Sequence, residues 1–109
     1  MMKIKVLIVE PEKAPRLAYI KNELEAMQDV VGGLIQPVKP VEFKDDAVIV
    51  CNEEGKLLGL QPNVYLCYEN GAPYDYVCGT FFICRAPADS EDFESLTDEQ
   101  INDYFWKYA

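Results

Sequence analysis

Asn70-Gly71 sits between two strand-like runs, Val64 to Glu69 and Ala72 to Val77. A two-residue hairpin turn needs positive φ at its central positions, and Asn-Gly tolerates that better than other pairs, so the segment predicts an antiparallel ribbon. A two-residue turn pairs Glu69 with Ala72, Cys67 with Tyr74 and Tyr65 with Tyr76. Tyr65, Cys67, Tyr74 and Tyr76 then share one face. Pro73, which has no amide hydrogen, disturbs this register. A chain built around such a ribbon is committed to a sheet.

The flanking segments supply more strands and two helices. Lys3 to Glu10 alternates at first and then runs Leu7-Ile8-Val9, a strand buried on both faces at its end. Pro11 to Pro15 suits a hairpin loop, with Arg16 to Ile20 as the returning strand. Asn22 with Glu25 reads as a capping box for a helix carrying Leu24, Met27 and Val31 on one stripe, ended by Gly32-Gly33. Leu34 to Val38 is a short strand that Pro37 confines to an edge. Val48 to Cys51 is a compact strand, Asn52-Glu53-Glu54-Gly55 a turn, and Lys56 to Asn63 an unassigned stretch broken by Gly59 and Pro62. Gly79 marks a bulge before a strand over Thr80 to Arg85. Ala86 to Ser95 reads as an exposed acidic loop. In the last helix Thr97 is the N-cap, Gln100 completes the box, Leu96 staples against Ile101, and Ile101, Tyr104, Phe105 and Tyr108 form the stripe.

This order predicts one α+β domain over residues 1–109, with two helices and a mixed or mainly antiparallel sheet. The opening strand-strand-helix-strand unit is similar to the first half of a β-grasp domain. There is no internal repeat.

The chain contains no histidine, which removes Ser-His-Asp and Cys-His machinery and every histidine metal ligand. Cys51, Cys67, Cys78 and Cys84 form no close pair of the kind a zinc knuckle or redox dithiol needs, and each lies in an apolar or strand-like run. The run Ile4 to Val9 is too short to span a membrane and has no cleavage site after it, so the expectation is a cytoplasmic protein with reduced thiols. Nineteen acids against ten bases give a net charge of −9, which argues against direct nucleic-acid binding. The distribution is uneven: residues 1–21 carry +3, residues 22–88 −6 and residues 89–109 −6.

Several stretches together resemble the domain of unknown function 3846 family. They are KVLIVEPEKAP at the start, ELEAMQDVVGG in the first helix, VCNEEGKLLGLQPN around the turn, CGTFFIC, and the closing EDFESLTDEQI. The resemblance covers nearly the whole chain, and the order of the stretches is its specific part. It implies a small protein of Firmicutes, their phages or mobile elements, in an intracellular setting, and brings no activity, cofactor or catalytic residue to carry over.

The candidate sites follow from side-chain chemistry. Asn52 and Glu53 in the turn offer an amide and a carboxylate to a polar ligand, without the spacing of an EF-hand or a phosphate loop. Asn63, Asp75 and Thr80 are further ligand-binding candidates. Tyr65, Tyr74, Tyr76 and Trp106 are candidates for partner contact. Asp89, Glu91 and Asp92 head an acidic run that could imitate phosphate charges. The leading expectation is a non-catalytic binding or accessory protein, without cofactor or metal, acting on a protein partner or a small polar ligand. Inhibition of a host defence system is one version. The competing classes are an acidic DNA mimic, a structural subunit, and an enzyme using Glu53, Asp75 and Cys78.

Overall fold

The computed structural model describes residues 2–109. Strands β1 (Lys3–Val9), β2 (Arg16–Lys21), β3 (Ile35–Val38), β4 (Ala47–Asn52) and β7 (Phe81–Arg85) form a five-stranded sheet in the order β2-β1-β7-β4-β3. Strands β5 (Pro62–Cys67) and β6 (Pro73–Cys78) form a separate two-stranded ribbon. The helices are α1 (Leu24–Val31) and α2 (Asp98–Tyr108). All pairings are antiparallel, so the fold is α+β. The β-grasp-like reading of the opening is not confirmed: β3 lies beyond β7 and β4, at the edge opposite β2.

Alternation along the central strands builds two cores. Phe82 and Cys84 face α1 together with Val6, Ile8, Val48 and Val50, and Met27 and Val31 of α1 close that layer. Phe81 and Ile83 face the other way, with Leu7, Val9, Ile49 and Cys51, beneath α2 and the ribbon. Every residue of β4 is buried, which is why its sequence runs Val-Ile-Val-Cys without polar alternation.

A polar network fastens α2. Arg85 donates from Nη1 to Asp46 Oδ2 at 3.1 Å, from Nη2 to Glu94 Oε1 at 3.0 Å and from Nε to the Ser95 carbonyl at 2.8 Å. Gln100 Nε2 donates to Asp46 Oδ1 at 2.9 Å, and Tyr104 Oη to Asp45 Oδ1 at 2.7 Å. The capping box at Thr97 and Gln100 is present as the sequence predicts. Phe93 to Ser95 do not belong to a free loop: Glu94 bridges Arg85, and the Ser95 hydroxyl accepts from the Lys5 amide at 2.9 Å.

Four local expectations change. Glu23, with no side-chain cap, takes the N-cap of α1; Asn22 Nδ2 instead donates to the Phe93 carbonyl at 3.1 Å. Leu24 is 58% exposed, leaving Met27 and Val31 as the buried stripe. In the ribbon Tyr65 does pair with Tyr76, but an irregularity after Leu66 pairs Cys67 with Pro73 and leaves Tyr74 to pack on the core. The turn is the physical cause: only Gly71 is left-handed (φ 87°), and the Gly71 amide donates to the Tyr68 carbonyl while the Tyr68 amide donates to the Ala72 carbonyl, both at 2.9 Å, so the loop is the three residues Glu69 to Gly71 and not the two-residue Asn-Gly turn expected. Finally, Gly79 (φ 84°) is no bulge: it turns the chain from the ribbon into the main sheet, and the unassigned stretch before Asn63 ends in β5, which begins at Pro62.

Candidate functional site

The ribbon and α2 cover one face of the main sheet, and between the ribbon and strands β3 and β4 a cleft of about 420 Å³ opens. Its floor is apolar and thiol-bearing: Val38 and Cys51 from the sheet, Leu66, Val77 and Cys78 from the ribbon. Asn52, Glu53, Glu54 and Lys56 come from the turn after β4, and Asp75 and Tyr76 from β6. Gly55 makes this closure feasible, since a Cβ there would come within 2.8 Å of the Cys78 carbonyl oxygen. The structure thus brings Asn52, Glu53, Asp75 and Cys78 to one place, although 26 residues separate the first from the last.

These groups have unequal freedom. Asn52 is buried and shapes the site: its Nδ2 donates to the Val31 carbonyl at 3.2 Å and its Oδ1 accepts from the Glu54 amide at 2.8 Å. Glu53 is exposed at the rim, its amide held by the Leu34 carbonyl at 2.8 Å. Lys56 and Asp75 form an ion pair across the mouth, and the Lys56 ammonium lies 4.5 Å from the centroid of the Tyr76 ring. The hydrogen bond from Lys56, with that from the Tyr76 amide, holds the Asp75 carboxyl below its ordinary range, and the Asp75 bond raises Lys56 in turn. Burial pushes the Cys51 thiol up, with the Asp75 charge adding to it, while Sγ donates to the Gln36 carbonyl at 3.6 Å. Asp75, Lys56 and Cys51 are thereby pushed away from neutral pH, the opposite of what acid–base work requires of a group.

The other candidates lie elsewhere. Asn63 is structural: its Nδ2 donates to the carbonyls of Val9 and Gly79, both at 2.9 Å, tying the ribbon to the sheet. Thr80 is half-buried in the link between β6 and β7. Tyr74 is drawn inward, where its hydroxyl accepts from the Val41 amide at 3.1 Å and its ring meets Tyr68 at 4.8 Å. Tyr65 and Tyr76 remain outside as a ring pair at 6.4 Å, beside the cleft. Trp106 is 70% exposed on α2, edge-on to Phe105. Asp89 and Glu91 are exposed in the loop before α2, and Asp92 lines a different depression with Arg85 and Phe93. All four cysteines are free thiols; Cys51, Cys78 and Cys84 are buried, and burial pushes Cys84 up to about 12.

The model of one family, Domain of unknown function (DUF3846), matches residues 2–109. The chain belongs to that family. Comparison with curated proteins and with solved structures gave no match. Among the described residues of this DUF3846 member, no cluster of three or more cysteine, aspartate or glutamate side chains is placed to hold a metal ion, and no helix is long and apolar enough to cross a membrane.

Lys56 is the principal group that sequence reasoning missed. Its signal was its isolation, as the sole base between Lys44 and Arg85, one glycine after two glutamates. Cys51 and Val38 read only as strand residues, because which strand lies beneath the ribbon depends on sheet order and not on local pattern.

Proposed function

We propose that this protein is a small, non-catalytic binding protein of the bacterial cytoplasm, of bacterial, phage or mobile-element origin, that captures a small cationic ligand in the cleft between sheet and ribbon. The observation that carries this reading is the state of the cleft mouth, where an ammonium already rests between the Asp75 carboxylate and the Tyr76 ring. That ammonium belongs to Lys56, and its seat between carboxylate and ring supports a preference for cations. Three rim carboxylates, Glu53, Glu54 and Asp75, face the single cation Lys56. A ligand with an ammonium group and a short alkyl part meets carboxylate, ring and apolar floor together. An anionic ligand such as a nucleotide meets repulsion, so in a host-defence role the cleft suits nucleotide sequestration poorly.

The competing readings draw less support. For an enzyme, Asp75 is held low while Lys56 and Cys51 are raised, which moves these three groups away from the range acid–base work uses. For a DNA mimic, part of the acidic charge is already neutralised: Glu94 pairs with Arg85 and Asp98 with Lys5.

Titration of isotopically labelled protein with butylammonium and tetramethylammonium chloride, with sodium butyrate as the anionic control, tests the reading. The expected result is that the cations move the amide resonances of Glu53–Lys56 and Asp75–Cys78, and that Asp75→Asn reduces the affinity at least tenfold. Butyrate binding as strongly, or no movement at the cleft, overturns it.

A further inference from the structure

The two edges of the main sheet are protected differently. At one end β3 is four residues long and carries Pro37, which blunts an edge because it cannot donate to a further strand. At the other end β2 is six residues long, contains no proline, and pairs with β1 in unbroken register from Lys3↔Lys21 to Ile8↔Arg16. Such an edge is a template for another strand unless something covers it.

Its side chains are also those of an unfinished interface. On the α2 side of the sheet, Leu17 and Tyr19 of β2 and Ile101 and Phe105 of α2 line a groove of about 400 Å³. Leu17 and Tyr19 are 49% and 61% exposed, and Trp106 stands edge-on to Phe105 next to the groove. Aromatic and aliphatic groups aligned beside a free strand edge are what β-strand addition uses, the backbone giving affinity and alternate side chains giving specificity.

Charge identifies the partner. Lys5 is neutralised by Asp98, and Arg16 by Glu10. Lys3 and Lys21 lie directly opposite each other in the register, and among the described residues neither has an ion-pair partner. Like charges in directly opposed positions are destabilising. A carboxylate arriving beside Lys21 on an added strand relieves that repulsion, whereas a second copy of β2, whose charged residues are Arg16 and Lys21, brings only another base. The first 21 residues carry +3 in a chain of net −9, so the β1–β2 hairpin is the basic part of an acidic chain, and Asp98 on the far wall of the groove is already paired with Lys5.

We propose that the β2 edge and the β2–α2 groove dock an extended acidic segment of a protein partner, which adds one strand to the main sheet. Its alternate side chains are apolar where they face Leu17 and Tyr19, and it places Asp or Glu near Lys21. This surface lies at the opposite edge of the sheet from the cleft, and the proposal stands independently of what the cleft binds.

Selection from a library of random eight-residue displayed peptides against the intact protein tests it. The expected consensus alternates apolar residues and carries Asp or Glu towards one end. A synthetic peptide of that consensus should slow hydrogen exchange at the β2 amides. Tyr19→Asp should weaken it at least tenfold and Lys21→Glu severalfold, while Asp75→Asn should leave it unchanged. Leu17→Asp serves as a second exposed-site variant should Tyr19→Asp fold poorly. Enrichment of basic or uncharged peptides, binding that survives both Tyr19→Asp and Lys21→Glu, or slowed exchange away from β2 overturns the proposal. So does a homodimer in native mass spectrometry that Tyr19→Asp abolishes, since the occupant is then a second copy.

Discussion

The two faces of the main sheet are closed by different means. On one face a single helix, α1, seals an apolar layer with Met27 and Val31, and Phe82 beneath it is fully buried. On the other face α2 and the ribbon share the work, and the seams around them hold the cleft at β3, the groove at β2 and the Arg85–Asp46–Gln100 network. A face covered by one element needs only apolar contact. A face covered by two needs polar ties to fix where each sits, and it leaves gaps open to solvent. Function is therefore to be sought on the second face.

The largest test of this contrast uses two adjacent residues. Phe81 and Phe82 are both fully buried but point to opposite faces. Replacing a buried phenylalanine with alanine costs about 3–5 kcal/mol, and the value depends on how far the surroundings collapse into the void. Phe82→Ala should lie at the upper end, because α1 and the sheet already meet tightly there. Phe81→Ala should cost less, because α2, whose Tyr108 ring stands edge-on to Phe81 at 5.9 Å, and the ribbon can settle separately. Urea unfolding of both variants decides the order, and a reversal contradicts the contrast.

The polar ties come next. Asp46→Ala removes one carboxylate from Arg85 and the acceptor of Gln100 Nε2 together. The expected loss is about 2 kcal/mol, and hydrogen exchange in α2 should rise while that in α1 stays unchanged. Equal loosening of both helices would show that the network does not act on α2 in particular.

How far the sequence could be read follows from the same contrast. The α2 boundary was legible because its cap is local: Thr97 and Gln100 are three residues apart. The α1 cap was not, because Asn22 is recruited by the Phe93 carbonyl, 71 residues away, a demand that no local pattern reveals. Tyr65 and Tyr76 pair as expected, yet Tyr74 two residues closer to the turn does not pair with Cys67, since the three-residue loop starts the ladder one residue off and the irregularity after Leu66 absorbs the difference. In the cleft, Asn52, Glu53 and Asp75 were legible as chemistry. Their convergence was not, for it depends on β4 lying beside the ribbon. Asn63, read as a ligand group, turned out to be the staple that holds that ribbon in place.

The missing cap on α1 gives a smaller test with a sign of its own. Glu23 already has the extended backbone an N-cap requires, φ −146° and ψ 154°, but makes no side-chain cap bond. Glu23→Ser should therefore stabilise the protein by about 1 kcal/mol, and Thr97→Ala, which removes an existing cap, should cost about as much. Thermal melts of the two variants should move in opposite directions. A neutral Glu23→Ser would mean that α1 is fixed by its apolar face alone.

The smallest expected effect on stability falls at the cleft mouth. Lys56 and Asp75 are both solvent-accessible, and exposed ion pairs contribute little, so Lys56→Met should leave the urea-unfolding midpoint essentially where it is. The pH dependence points the same way. Asp75, lowered by Lys56, contributes above the ordinary carboxylate range, and its share is lost only as pH falls through its depressed value. Lys56, raised by Asp75, contributes below 10.5, and its share is lost only as pH climbs past that. Between about pH 5 and pH 9 both stay ionised, and the stability difference between wild type and variant should be flat. Binding should behave otherwise. Without Lys56 the Asp75 carboxylate and the Tyr76 ring are free to receive a ligand, so affinity for butylammonium should rise severalfold although stability hardly moves. A pair that matters little to folding but governs entry to the cleft belongs to its function, and a variant that loses affinity would instead make Lys56 part of the ligand's own binding surface.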